Sequence, residues 1–367
     1  MKLALLMPGG VDRSGEHRVI HAFLWLLERL ARCHEVHVFA LNQEPEPAEW
    51  GLLGAHVHNV GAIGAWRRRL FAAFSAEHRR SPFHVIHGFF GWGGTYGALL
   101  GWRHRIPVLF HAAGGEFVAL DDIGYGMRIS ARGRLELRVA VAGSRTVTVP
   151  SEYMQELAAV LHVRTERVPL GVALDLWPPS APRQRDRARA VRLLHIGDLR
   201  PVKDQYTLLA AMNMLRDTGL DFELDIVGVD TMNGALQRST HAIALGEMVH
   251  WHGVLNRTAL RALMDRAHIH LMTSLHEAGP LVVLEAAVAG VPTIGTRVGH
   301  IADWAPIAAV GVPVGDANAL AREIMVLLAD EPRRLAMAEE CQRRAIAIDA
   351  DYTAASFERI YAELCAS

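Results

Sequence analysis

Residues 274–299 read S-L-H-E-A-G-P-L-V-V-L-E-A-A-V-A-G-V-P-T-I-G-T-R-V-G, and the fold can be read outward from this stretch. Just before it, the apolar Ile269, Leu271 and Met272 read as a buried strand. Glu277 to Gly279 reads as a turn, Pro280 to Ala289 as a helix ended by Gly290 and Pro292, and Val291 to Thr296 as the next strand. In a strand-loop-helix unit the first N–H groups of the helix have no intrahelical partner and carry partial positive charge. A diphosphate would sit over Leu281 and Val282, with Gly279 and Pro280 on its approach. Glu277 precedes this cradle and Glu285 lies about one turn inside the helix. Two acceptor-only carboxylates flanking a phosphate cradle suit a ligand with hydroxyl donors on both sides of its phosphates, which describes a sugar nucleotide.

The rest of the chain bounds this reading. At 367 residues and 51% hydrophobic content it is long enough for two cores. A net charge of -1 gives no global attraction to nucleic acid. Cys33, Cys341 and Cys365 are odd in number and far apart, a pattern that fits reduced thiols better than a disulfide framework. The apolar start Leu3 to Met7 is too short for a signal peptide and no run approaches a membrane span, so a cytoplasmic location is expected. Of the 38 basic residues only Lys2 and Lys203 are lysine. A position that keeps lysine against such a bias is one where a compact ammonium is needed and a planar guanidinium does not fit.

Lys2 to Met7, His17 to Ala31 and Glu35 to Ala40 read as strand, helix and strand, joined through the Gly-rich loop Pro8 to Gly15. Further strands are expected near Val85 to Ile86, Val108 to Phe110 and Thr146 to Val149. The Pro-, Arg- and Ala-rich stretch Trp177 to Ala190 marks a seam. Beyond it the α/β pattern repeats, with strands near Val191 to Ile196, Phe222 to Val227, Val249 to His252, Ile269 to Thr273 and Thr293 to Thr296, before a closing helix Asp351 to Cys365. The expected boundaries are a first domain 1–178, a linker 179–190, a second domain 191–350 and the closing helix 351–367. In such sheets ligands sit beyond the carboxyl ends of the strands, which for two facing domains means the cleft.

Three other stretches carry candidate chemistry. Ile196 to Asp204, I-G-D-L-R-P-V-K-D, places Arg200 and Lys203 in a loop before an apolar helix, as cations for a departing diphosphate or as solvated charges beside a helix cap. Gly9 and Gly10 follow the first strand, where they let backbone approach a ligand or simply make a tight turn; the spacing is neither G-x-G-x-x-G nor a P-loop. Phe110 to Glu116, F-H-A-A-G-G-E, sets His111 and Glu116 at a strand end, with Glu116 either binding acceptor or capping the chain from Phe117 onward. Asp349-Ala350-Asp351 matches a D-x-D metal motif but precedes the final helix, so helix capping is the better explanation and no metal is expected. Arg67, Arg68 and Arg69 lie on a stretch that reads as a solvated helix or as a weak peripheral contact with an anionic membrane face.

The Glu277–Glu285 segment resembles the E-x7-E segment of the family 4 glycosyltransferases, retaining enzymes of the GT-B fold. The resemblance implies two facing Rossmann-like α/β domains with a C-terminal helix closing back toward the first. It implies that Glu277 and its loop hold the donor sugar and that Glu285 binds the ribose hydroxyls. Where the family commonly has Gly-Phe this chain has Ala278 and Gly279, a departure that bears on the sugar. The Gly197–Lys203 stretch resembles the family's G-x-L-x-x-x-K element, which implies that Lys203 binds the donor diphosphate. Asp198 stands where the family commonly has Arg, so Arg200 is expected to take that role. His111 to Glu116 resembles an H-G-G-E/D segment, which implies that His111 orients a sugar hydroxyl near the anomeric carbon. Val149 to Tyr153 and Val168 to Val172 also resemble the family.

The activity implied is metal-independent hexosyl transfer from a UDP- or GDP-sugar to a hydroxyl acceptor such as a glycan, lipid-linked sugar or small molecule. No cofactor beyond the donor is implied. The alternatives are a nucleotide-sugar-binding scaffold or sensor, motivated by Asp198, and a GT-B epimerase or phosphorylase.

Overall fold

The computed structural model describes residues 1–366, and the chain divides into two compact units. Met1–Ala173 and the segment from Ile348 onward make the first, and Leu174–Ala347 the second.

The first unit holds one sheet of eight strands: β1 (Lys2–Met7), β2 (Glu35–Ala40), β3 (Ala48–Leu52), β4 (Ala55–Asn59), β5 (Val85–Phe89), β6 (Val108–His111), β7 (Thr146–Val149) and β8 (Glu166–Arg167). Their order is β3-β4-β2-β1-β5-β6-β7-β8, parallel except where β3 pairs antiparallel with β4. Helices cover both faces, so the central strands are near-continuous apolar runs. Phe23 and Leu27, from the helix His21–Leu30, share a core with Phe357 and Tyr361, from Ala350–Ala366. Leu70, Phe74 and Leu100, from the helices Trp66–Arg80 and Phe90–His104, belong to a second core cluster.

Two local features differ from the sequence reading. The helix expected from His17 begins at His21, because Arg18 adopts a left-handed conformation (φ 51°) and Val19 bridges back to Gly10 and Val11. The β3–β4 hairpin was not expected. Its turn is Leu53-Gly54, both at positive φ, and a leucine there carries none of the Asn-Gly or Asp-Gly signal that marks such turns.

The second unit is a six-stranded parallel sheet: β9 (Val191–Ile196), β10 (Phe222–Val227), β11 (Val249–Gly253), β12 (Ile269–Met272), β13 (Thr293–Thr296) and β14 (Ala309–Val312). The order is β11-β10-β9-β12-β13-β14. The chain walks outward from β9 in one direction and from β12 in the other, so the topology switches between these two neighbours. The strand β14, a four-residue run shortly before Pro313, is an addition to the strands expected.

The stretch 179–190 is not a free linker. Ser180 donates its amide to the Val288 carbonyl (3.1 Å) and Arg185 donates its amide to Glu331 (2.8 Å). The buried guanidinium of Arg334 holds the Arg183 carbonyl at 2.5 Å and Glu331 at 2.6 Å. These bonds strap the stretch to the second unit, and the division falls between Ala173 and Leu174. The expected closing helix runs Ala350–Ala366 and belongs to the first unit; Ser367 lies outside the described residues.

That last helix is anchored by Thr353. Its buried hydroxyl donates to the Pro169 carbonyl (2.8 Å) and accepts from the Gly171 amide (2.9 Å). Thr353→Val keeps the shape and strands both backbone groups, so we expect a loss of about 1–3 kcal/mol. Hydrogen exchange checks this: peptides covering 168–173 and 350–366 should lose protection while those of the second unit keep theirs.

Candidate active site

Two loops meet at the carboxyl ends of β9 and β12. After β9, Gly197 leads into Asp198–Arg200, a 3-10 turn at Pro201–Lys203, and then Asp204, whose left-handed backbone (φ 46°) starts the helix Gln205–Asp217. Asp204 caps that helix through the Thr207 amide and hydroxyl. After β12 the chain runs through Thr273 and Ser274 to Glu277, then enters the helix Leu281–Val288 at Pro280. The Leu275 amide donates to the Val202 carbonyl (2.8 Å) and the Thr273 hydroxyl to the Lys203 carbonyl (3.0 Å), which laces the loops together.

With the backbones fixed in this way, the Lys203 ammonium meets the Glu277 carboxylate at 2.5 Å. The same Glu277 oxygen accepts from the Ser274 hydroxyl at 2.7 Å. Burial pushes the Glu277 carboxyl up, but the charge and hydrogen bond of Lys203, with the Ser274 bond, outweigh it and hold the group below the usual glutamate value. Beneath the pair lies the fully buried His195. Its Nδ1 faces the Leu271 carbonyl at 3.0 Å and its Nε2 faces Gln205 Nε2 at 3.3 Å, the arrangement of an Nδ1–H tautomer. Burial, which penalises the charged imidazolium, pulls this imidazole down to about 4.

Pro280 gives the helix Leu281–Val288 no side-chain cap, so the N–H groups of Leu281 and Val282 stand where an anion would find them. Gly299 permits the loop to close here: at φ 52° it sits so near that a Cβ would fall 2.6 Å from Pro280 Cδ. Inside the helix, Glu285 is buried to 4% exposure. With nothing nearby to offset desolvation, burial alone pushes its carboxyl up to about 7.

The second unit therefore brings Lys203, Glu277, Gly279, Pro280, Leu281, Val282 and Glu285 onto its two loops and one helix. Arg200 is on the same loop as Lys203, exposed to solvent. Asp198 is occupied otherwise: its carboxylate accepts from the Val229 amide at 3.2 Å and holds the loop after β10. Thr273, Ser274, His195 and Gln205 were missing from the sequence reading. Three of them carried a signal, as polar residues at or just past the carboxyl ends of apolar strands, while Gln205 opens the helix after the β9 loop.

In the first unit, His111 ends β6 with its side chain fully enclosed, its Nδ1 on the Thr148 hydroxyl (2.9 Å) and its ring packed against Phe89 and Phe357. Burial pulls it down to about 3. This imidazole does not open to solvent, so the expected position beside a sugar is not what this structure presents; bulky aromatic neighbours close over the strand end. Glu116 is buried and accepts the amides of Gly91 (3.0 Å) and Gly114 (2.7 Å), with burial raising its carboxyl. The amide of Gly10 is taken by the Gln43 side chain at 2.8 Å, and a Cβ added to Gly9 would stand 3.5 Å from the same group, so this loop packs on Gln43.

The D-x-D candidate behaves as a helix start: Asp349 caps the Tyr352 amide and Asp351 pairs with Arg29. Among the described residues one cluster has metal-ligand spacing, Glu35, His37 and Glu77, and the Lys2 ammonium already bridges its two carboxylates. Of the three arginines considered for membrane contact, Arg67 donates to the Tyr96 hydroxyl and Arg69 to the Val60 and Gly61 carbonyls, which leaves nothing to support that contact beyond an exposed Arg68. No helix among the described residues is long and apolar enough to cross a membrane.

Comparisons with known proteins bear on the family and the fold. The chain matches the "Glycosyl transferase 4-like domain" over residues 19–171 and "Glycosyl transferases group 1" over residues 183–344. A curated relative, the MMP alpha-(1->4)-mannosyltransferase of Mycolicibacterium hassiacum, is 29% identical over 170 residues, which is 46% of this chain and 40% of that protein. The chain thus spans less than half of that relative's length. Sucrose-phosphate synthase from Thermosynechococcus elongatus superposes with a TM-score of 0.82 at 19% identity, covering 100% of both chains. The Anabaena protein HepE, solved with UDP and glucose, gives 0.76 at 15% identity over 99% of this chain and 100% of its own. The fold is therefore GT-B, built from two Rossmann-like α/β units. The chain belongs to the family 4 glycosyltransferases.

Glu285 yields a pH signature. Because its carboxyl titrates near 7 when folded and near the ordinary glutamate value when unfolded, the unfolded chain gives up this proton first as pH rises. Stability from this group is full at acid pH, falls between about 4.5 and 7, and is flat above, a loss of about 3 kcal/mol. Glu285→Gln should remove that decline and exceed the unmodified protein in denaturant midpoint at pH 8. Parallel midpoint-against-pH curves for the two proteins would refute the assignment.

Proposed function

We propose that this chain transfers a sugar from a nucleoside diphosphate sugar to a hydroxyl acceptor, with retention of anomeric configuration and without a metal. The observation that carries this reading is the pairing of Lys203 with Glu277 beside an uncapped helix N-terminus at the topological switch point of the second sheet. HepE, a protein of the same fold, was solved with UDP and glucose, which supports a sugar nucleotide as the donor.

In this mechanism the donor diphosphate lies over the N–H groups of Leu281 and Val282 and draws the Lys203 ammonium toward it. The bond between the anomeric carbon and the diphosphate oxygen breaks, and the electron pair leaves with the diphosphate. The hydroxyl oxygen of the acceptor takes its place, and its proton passes to an oxygen of the departing diphosphate. Charge gathers on the diphosphate as this happens, and Lys203, Arg200 and the helix dipole are prepositioned to meet it. Glu277, freed in part from Lys203, accepts hydroxyls of the sugar. Glu285 accepts the ribose hydroxyls, and that bond favours its ionised form, since a carboxylate is acceptor-only. Retention and the roles of Gly279 and Pro280 in the donor loop rest on the family resemblance.

The test is thermal shift with UDP, GDP and ADP on the unmodified protein and on Lys203→Ala. One nucleotide should stabilise the unmodified protein, and its Kd should weaken by about ten-fold or more in the variant. Equal Kd values in both proteins, or no shift with any nucleotide, would sink the donor-site reading.

A further inference from the structure

A buried line of hydrogen bonds runs beneath the two loops of the candidate donor site. Gln205 opens the helix Gln205–Asp217 and is 1% exposed. Its amide nitrogen donates to the Asp198 carbonyl at 3.0 Å and lies 3.3 Å from His195 Nε2. On the other edge of that ring, Nδ1 faces the Leu271 carbonyl at 3.0 Å. Burial keeps the imidazole neutral by pulling it down to about 4. The carbonyls of Asp198 and Leu271 are acceptors only, so the protons have one arrangement. One amide hydrogen of Gln205 goes to Asp198, the other to the bare Nε2 of His195, and His195 Nδ1–H goes to Leu271. The loop after β9 is thereby tied to the end of β12.

The segment held in this way carries Arg200 and Lys203. Its start is gripped from a second side, where the Asp198 carboxylate accepts the Val229 amide (3.2 Å) and the Leu199 amide donates to the Val229 carbonyl (2.8 Å). A Cβ added to Gly197 would stand 3.6 Å from Lys203 Cδ and 3.7 Å from His195 Nε2, so the lysine stem and the imidazole edge share one neighbour. Serving Asp198 and His195 together takes two hydrogens on one uncharged nitrogen, which only an Asn or Gln side chain supplies, and Asn is one methylene shorter. Lysine or arginine here would set a second cation beside Lys203. The same amide leaves its Oε1 buried with no partner among the described residues. An unmet buried acceptor costs folding free energy, and a methionine of similar length fills the space without that cost. Packing alone therefore does not account for the amide, whereas what its two donors hold in place does.

Resting on the donor-site reading above, we propose that Gln205 is a positioning residue of that site: through His195 and the Asp198 carbonyl it sets the loop from which the Lys203 ammonium meets the donor diphosphate. Gln205 touches no ligand itself. In the empty protein the ammonium rests on Glu277 at 2.5 Å, and on binding it turns to the diphosphate about a stem whose root the loop holds still. A loop that shifts by about 1 Å keeps the charge of Lys203 and loses its aim. Gln205 therefore contributes to diphosphate affinity only while Lys203 is present.

Titration calorimetry of the full chain with UDP, GDP and ADP tests this on the unmodified protein, Gln205→Met, Lys203→Ala and the double variant. With the nucleotide that binds the unmodified protein, Gln205→Met should weaken Kd by about five-fold. In the Lys203→Ala background the same change should move Kd by less than about two-fold. Thr353→Val, a destabilising change in the first unit, should leave Kd unchanged and controls for lost stability alone. Gln205→Glu carries the test if Gln205→Met fails to fold. It sets an acceptor-only oxygen against the Asp198 carbonyl and the bare His195 Nε2, and one proton shared between the new carboxyl and His195 restores one of the two bonds. Its Kd should be about five-fold weaker than that of the unmodified protein at about pH 8, and the gap should narrow towards about pH 6. The groups that face His195, namely Lys203, Glu277 and the buried His270, are common to both proteins, so the ratio of the two Kd values isolates the new pair.

An unchanged Kd in Gln205→Met, an equal loss of affinity with and without Lys203, or a Gln205→Glu gap that ignores pH would overturn the inference. Binding of no nucleotide by the unmodified protein, or binding that Lys203→Ala leaves untouched, would instead sink the donor-site reading and take the inference with it.

Discussion

The candidate donor site depends on the divergence of the chain at β9 and β12. β9 sends the chain toward β10 and β11, and β12 sends it toward β13 and β14, so the loops leaving these neighbours part and leave a crevice at the sheet's edge. Left alone, such loops would be mobile. Here the Val202 carbonyl, the Lys203 carbonyl and the side chain of Thr273 tie them into one body, and that body places Lys203 against Glu277. A poorly hydrated ion pair is weak evidence for stability, because removing both charges from water offsets much of their attraction. A pair kept at a crevice mouth, with a hydroxyl and an unpaired helix terminus beside it, is better explained by a ligand that exchanges partners with it.

How much of this was legible depended on whether the signal was local. The helix Leu281–Val288 was readable because Pro280 starts it and Gly290, at φ 75°, ends it, and both residue types act through their own backbone restrictions. Lys203 was readable because lysine is so scarce in the chain that its retention carried information. The β3–β4 hairpin was not, since Leu53 adopts a positive φ that its side chain disfavours and that only the surrounding pairing explains. The strap of residues 179–190 was hidden for another reason. Its proline and arginine content reads as a linker, while the bonds that hold it come from Glu331 and Arg334, nearly 150 positions away. His111 shows the opposite failure. A motif at a strand end argued for exposure, yet Phe89 and Phe357 close over it, and Phe357 arrives from the far end of the chain.

Glu285 and Glu277 show how spacing in sequence becomes difference in chemistry. Both lie within the same loop and helix, yet one carboxyl is held down by a lysine and a serine, and the other is pushed up to about 7 by burial alone. A carboxyl whose ionisation burial opposes spends folding free energy on an acceptor it does not use in the empty protein. Such a cost is typical where a ligand later supplies the missing donors. The fully buried His195 beneath the pair, pulled down to about 4, adds no competing charge and works as a neutral strut between Leu271 and Gln205.

The two units present different electrostatic surroundings. The second gathers an ammonium, an exposed guanidinium and a helix N-terminus, a set that discriminates for anions. The first lines a cavity with aromatic rings, the carboxylates of Glu116 and Glu136 and the exposed Arg132. A chain with a net charge of -1 cannot sort ligands by its overall field, so any sorting has to come from such local arrangements. On the reading proposed above, this local set of cations and N–H groups is what would tell a diphosphate-bearing donor from a neutral ligand.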